Sequence, residues 1–172
     1  ASAEPLLSEA SGNWAGTSGQ GFTFLARLTQ NEDKARLTIW GGGPGSAAVA
    51  TEDPQFDNDQ IALGAFATRQ ALEVLDTGSA SILQVVTEYA DEEGTGRSVL
   101  QLQFIDNQFT VVGYFHAGEH LGQGFECDVD LWNMTATENG QQRQLDPVGF
   151  DALNASDWTW DAAYERGFCT QS

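Results

Sequence analysis

"SVLQLQFIDNQFTVVGYFH", residues 98–116, decides how this chain is read. Leu100, Leu102 and Phe104 alternate with Gln101 and Gln103, which puts three apolar side chains on one face of an extended strand. Asp106-Asn107 supplies a tight turn, because both residue types tolerate positive φ. Folded about that turn, Phe104 faces Phe109, Leu102 faces Val111 and Leu100 faces Gly113. The apolar sides meet without adjustment, so a β-hairpin with this register is expected.

The same test succeeds upstream. In "FTFLARLTQNEDKARLTIW" (residues 22–40) a turn over Asn31 to Lys34 sets Leu28 against Leu37 and Ala26 against Ile39, with Thr29 meeting Arg36 on the other face. A further strand is expected from Ser81 to Tyr89, joined to the first hairpin through the acidic turn "ADEEGTG". Ile61 to Leu75 fits both helical and strand spacing and is read as two short strands, or a strand after a helical turn. The 19 glycines fall between these short alternating segments, and "GGGPG" (41–45) reads as a loop. The expected fold is all-β: mainly antiparallel sheet closing into a barrel or sandwich, in a single domain over residues 1–172.

The two ends read differently. Residues 1–11 carry no clear strand pattern and are expected to be a flexible amino-terminal segment. In "NASDWTWDAAYERGFC" Ser156 or Asp157 caps a helix over about 156–168 and Gly167 ends it, with Trp160, Tyr164 and Phe168 on one face.

Charge narrows the partners. Twenty-five acidic side chains stand against seven basic ones, six arginines and Lys34, for a net charge of −18. Such a surface repels phosphate backbones, and no basic patch offsets it, so no nucleic-acid partner is expected. No run of about 18 apolar residues exists, so no membrane insertion is expected. Ala1-Ser2-Ala3-Glu4-Pro5 has the small residues found at the end of a secretory signal. Cys127 and Cys169 are the only cysteines and form no C-x-x-C, so they are read as a structural disulfide in a periplasmic or extracellular protein.

Gly12-Asn13-Trp14 resembles the glycine-x-tryptophan at the first strand of lipocalins and related calycin barrels. An aromatic carboxy-terminal helix tied by a disulfide to a barrel strand is similar to the plan of that group. The resemblance implies a barrel carrying a ligand and an arginine packing over the tryptophan, a role open to Arg143.

In "FECDVDLWNM" (125–134) Phe125, Cys127, Val129 and Leu131 alternate with Glu126, Asp128, Asp130 and Trp132. If the first set joins a core face of Phe109, Val111 and Phe115, then Phe115 pairs with Phe125. Tyr114 and His116 then lie beside Glu126 and Asp128 on the outer face. His116, Glu119 and His120, with Glu126 or Asp128, are candidate zinc ligands by residue type, although the glycines around them argue against the helix that H-x-x-x-H needs. Glu52, Asp53, Asp57 and Asp59 form a candidate calcium cluster without the EF-hand spacing. Asp128 and Asp130 are the right types for acid and base work on a sugar.

No G-x-S-x-G, phosphate loop or H-E-x-x-H is present, so no cofactor is expected and no catalytic residue is assigned. Trp40 and Trp132 fall opposite the core faces and, with Tyr114, are candidate ligand-binding residues. The expected function is an exported, non-enzymatic module that binds a small apolar or aromatic ligand. A protein-interaction or inhibitor domain and a hydrolase built on the acidic strand face are the alternatives.

Overall fold

The computed structural model describes residues 5–16, 21–43, 46–63, 67–105, 108–147, 149 and 153–169. The Asp106-Asn107 turn, the first four residues and the end of "GGGPG" lie outside them. Alternating sequence becomes two antiparallel meanders. β1 (Leu6–Asn13), β2 (Thr23–Asn31), β3 (Lys34–Gly41) and β4 (Phe56–Leu63) form one sheet in chain order. β5 (Ala67–Asp76), β6 (Ser81–Ala90), β7 (Gly94–Ile105), β8 (Gln108–His120), β9 (Gln123–Asp130), β10 (Thr135–Glu138) and β11 (Gln141–Gln144) form the other, also in order. Among the described residues the sheets do not join into a closed barrel; the arrangement is sandwich-like.

The sheets share one apolar core. Phe24, Leu28, Leu37 and Ile39 from the smaller sheet pack with Leu83, Leu102, Val111 and Val129 from the larger. Trp14, after β1, stacks on Phe24 at 4.1 Å and meets Phe109 at 5.8 Å. Along one side the sheets adjoin through β1 and β5, where the Leu72 amide donates to Ser8 Oγ at 2.9 Å. The other side is covered by the carboxy-terminal segment, whose Asn154 bridges to Thr110 on β8.

That segment departs from the expected helix. A 3-10 turn, Ala155–Asp157, is capped by Asn154, whose side chain accepts from the Ser156 amide; Trp158 is extended; α1 covers only Ala162–Glu165. Asn58 on β4 explains the break. Its buried Nδ2 donates to the carbonyls of Ala155 (2.9 Å) and Trp158 (2.7 Å), the second of which a continuous helix would use internally. Gly167, at φ 77°, ends the helical turn as its sequence position predicts. Residues 6–11, read as flexible, are strand instead, because Ala10 and Gly12 give β1 a side small enough to lie against the core. A side chain at Gly12 would press on the Phe24 ring at 3.0 Å.

The β2–β3 register is the one expected: Leu28 pairs with Leu37, Ala26 with Ile39 and Thr29 with Arg36. The β7–β8 register agrees from Phe104–Phe109 to Leu102–Val111 and then shifts, so that Gln101 meets Gly113 and Leu100 meets Tyr114. The extra residue is Val112. It is tolerated because both Val111 and Val112 are buried and the Val112 carbonyl accepts from the Leu131 amide at 3.1 Å. One inserted residue reverses every side chain beyond it. Tyr114 and His116 therefore enter the core face opposite Val129 and Cys127, while Phe115 turns outward opposite Asp128. The expected Phe115–Phe125 pairing, and His116 among outer carboxylates, are corrected by this bulge.

Candidate functional site

Among the described residues the core around Trp158 is closely filled. The void bordered by Val85, Tyr114, Trp158 and Trp160 measures about 10 Å³, enough for one water and far below the roughly 300–1,000 Å³ of ligand pockets. Tyr114 is buried there with its hydroxyl unpartnered, and desolvation, then the charge of neighbouring Tyr164, raises its ionisation above the ordinary phenol range.

His116 stands at the centre of a polar clamp. Its Nε2 lies 2.6 Å from Tyr89 Oη and its Nδ1 2.8 Å from Tyr164 Oη. Burial lowers its pKa to about 4, so the ring is neutral, donating to one phenol and accepting from the other. Burial also raises Tyr89, helped by Asp91, and lifts Tyr164 to about 12. All three tyrosines of the chain surround this histidine, Tyr114 at 6.2 Å. Trp160 and Phe125 add ring contacts at 5.8 and 5.0 Å. The clamp joins β6, β8 and α1. Both ring nitrogens are engaged, so His116 has no free lone pair for a metal.

Glu119 and His120 are exposed at the far end of β8, where His120 Nε2 lies 3.8 Å from Glu93. They share a shallow recess of about 100 Å³ with His116 and Tyr89. Among the described residues, the only metal-type group of three with ligand atoms within 4.8 Å is Cys127, Glu138 and Cys169, and its sulfurs form the disulfide. Neither the His116, Glu119 and His120 set nor the Glu52, Asp53, Asp57 and Asp59 set is brought together in that way.

The tryptophan pair and Tyr114 are likewise separated. Trp132 is 52% exposed in the turn after β9, where its Nε1 donates to Gln103 at 3.1 Å. Trp40 lies on the outward face of the smaller sheet, beside a groove of about 530 Å³. A hollow of about 660 Å³ beside the β6–β7 turn has a described lining of Ala90 and three acidic residues, Asp91, Glu92 and Glu93. The Trp40 groove has walls of mixed chemistry.

Strand alternation builds that groove. Register places Glu9, Arg27, Thr38 and Asp57 in one row across all four strands. Arg27 Nε donates to Glu9 at 2.6 Å, and its guanidinium lies 5.6 Å from the centre of the Trp40 ring. Arg36 makes two bonds to the Asp57 carboxylate, the Nε one at 2.6 Å. Trp40 Nε1 donates to the Thr51 carbonyl at 2.8 Å, fixing the ring against the loop that carries Glu52 and Pro54. Asp57, a candidate calcium ligand by sequence, is committed to Arg36.

Trp40 was legible in the sequence as an outward aromatic. Arg27 and Arg36 were not singled out, although the β2–β3 register already put Thr29 opposite Arg36 on that face. Two of six arginines on one face of so acidic a chain is the signal that points to them. Arg143, to which the resemblance leaves the role of packing over Trp14 open, donates to the carbonyls of Gly167 (2.7 Å) and Phe168 (2.9 Å). No protein-family model matches this chain, and no curated protein and no solved structure matches it.

Proposed function

We propose that this protein is a small-ligand-binding module of an oxidising compartment, periplasmic or extracellular, with its ligand on the outer face of the smaller sheet. The observation that carries the reading is the contrast in room among the described residues: about 530 Å³ beside Trp40 against about 10 Å³ in the interior void beside Trp158. Ion pairs hold Arg27 and Arg36 in place before any ligand arrives, which lowers the ordering cost of binding. The Cys127–Cys169 disulfide supports the compartment.

The test is a fragment and metabolite screen by NMR on indole N–H signals, with Trp40 assigned from Trp40→Phe. Ligands of the groove shift the Trp40 signal and lose affinity in Trp40→Ala. Hits that shift only Trp158 or Trp132 would sink the reading.

The interaction-domain alternative has less support. Two of its exposed anchors, Trp132 and Leu121 (73% exposed), sit at opposite ends of β9. The hydrolase alternative draws on Asp128, whose pKa is raised by burial and by the charges of Glu126 and Asp130.

A further inference from the structure

We infer that the ligand of the Trp40 groove is a neutral oligosaccharide chain. This rests on the groove reading above and goes beyond it by naming a chemical class. Three features carry it.

The first is charge. Both arginines of the groove are already neutralised, Arg27 by Glu9 and Arg36 by Asp57, and Glu52 adds a further carboxylate to the rim. An anionic ligand would have to displace these pairs and approach a protein of net charge −18. A cationic ligand would have to compete with Arg27 and Arg36 for the Glu9 and Asp57 carboxylates.

The second is hydrogen-bonding type. Across the strands the row runs carboxylate, guanidinium, hydroxyl, carboxylate: Glu9, Arg27, Thr38, Asp57. Each acceptor neighbours a donor. A hydroxyl group both donates and accepts, so a polyol fits such a row, giving its proton to a carboxylate and taking one from an arginine N–H or threonine. A purely apolar ligand would desolvate these ion pairs while offering their remaining donors and acceptors no hydrogen bond.

The third is shape. Trp40 offers a fixed indole beside the row, and a sugar ring has an apolar face of C–H groups able to lie on an aromatic surface while its rim of hydroxyls reaches outward. The row members that line the groove, Arg27, Thr38 and Asp57, span about 10 Å at the usual strand spacing, which suits a short chain rather than one ring.

Isothermal titration and indole NMR with cellotetraose, xylotetraose, chitotetraose and maltotetraose test the inference, with tetragalacturonate and a chitosan tetramer as charged counterparts. At least one neutral chain is expected to bind and shift the Trp40 signal. Affinity should fall about tenfold or more in Trp40→Ala, an anchoring aromatic, and also in Arg36→Gln, with melting temperature recorded to confirm that both variants fold. Preference for a charged tetramer at the same residues overturns the neutral class and leaves the groove reading standing. Failure of every saccharide, while a screened compound still shifts Trp40, overturns the carbohydrate class alone. Saccharide binding that neither substitution weakens overturns both, as does the absence of any groove ligand.

Discussion

Two hairpins of this molecule start from the same rule and end differently. β2–β3 keeps strict alternation from Asn31–Lys34 to Phe24–Gly41, and every core pair expected from the sequence forms. β7–β8 keeps it for four pairs from Ile105–Gln108, then takes in Val112 and reverses. Periodicity in a strand is therefore only as reliable as the residue count between its fixed points. A bulge costs little locally and inverts everything downstream. In this protein it moves a histidine from the surface to the core.

Deleting Val112 is the most direct way to break the comparison. Deletion joins Val111 to Gly113 with the pairs on either side unchanged, so Tyr114 and His116 keep the core face and β7–β8 becomes as regular as β2–β3. The expected outcome is a cooperative fold that keeps the near-ultraviolet dichroism of the packed aromatics and loses roughly 2–4 kcal/mol with the buried Val112 side chain and its bond to the Leu131 amide. Loss of cooperative unfolding would show that the bulge itself, and not only the facing beyond it, holds the core.

The next effect concerns the strand that follows. Cys127 pairs with His116 and is bonded to Cys169, 42 residues away, so the disulfide holds the inverted part of β8 to the carboxy-terminal segment. The double variant Cys127→Ala, Cys169→Ala should lose roughly 4 kcal/mol in the chain-entropy model, read from chemical denaturation.

The third effect isolates His116 itself. Its pKa is lowered on folding from 6.5 to about 4. Above about pH 6.5 the ring is neutral in both states and its contribution is complete. As pH falls from there toward 4, the unfolded chain takes up a proton that the folded one refuses, and about 3 kcal/mol of stability is lost. The difference in stability between wild type and His116→Gln should carry this slope across that window. A flat difference would mean that the histidine titrates normally.

The smallest effect is a gain. Leu121 sits at φ 52° and Gly122 at φ 81° in the turn that closes β8 to β9. Leu121→Asn suits both positive angles and removes an exposed leucine, so melting temperature should rise, by roughly 0.5–1 kcal/mol of stability.

These cases also show what was legible in the sequence. The strands of both hairpins, the disulfide and the outward Trp40 were readable because each depends on local alternation or on a simple count. Asn139-Gly140, at φ 50° and 84° between β10 and β11, is a common two-residue hairpin signal, although no hairpin was expected there. Val112 was not, since the sequence Thr110-Val111-Val112-Gly113 alternates equally well with or without an inserted residue. The split carboxy-terminal helix was hidden for another reason. It is broken by Asn58, nearly 100 residues earlier, which no local pattern of Ser156 to Gly167 reports. The candidate groove lay between, with its aromatic visible and its arginines visible only once the β2–β3 register was extended across the sheet.

The gathering of every tyrosine around one histidine gives the protein an optical property of its own. All three phenols are held protonated beyond their ordinary range. Phenolate absorbance should therefore stay nearly silent through moderately alkaline pH and then rise together as the clamp opens. A simple ultraviolet titration would report the docking of the carboxy-terminal segment without any label.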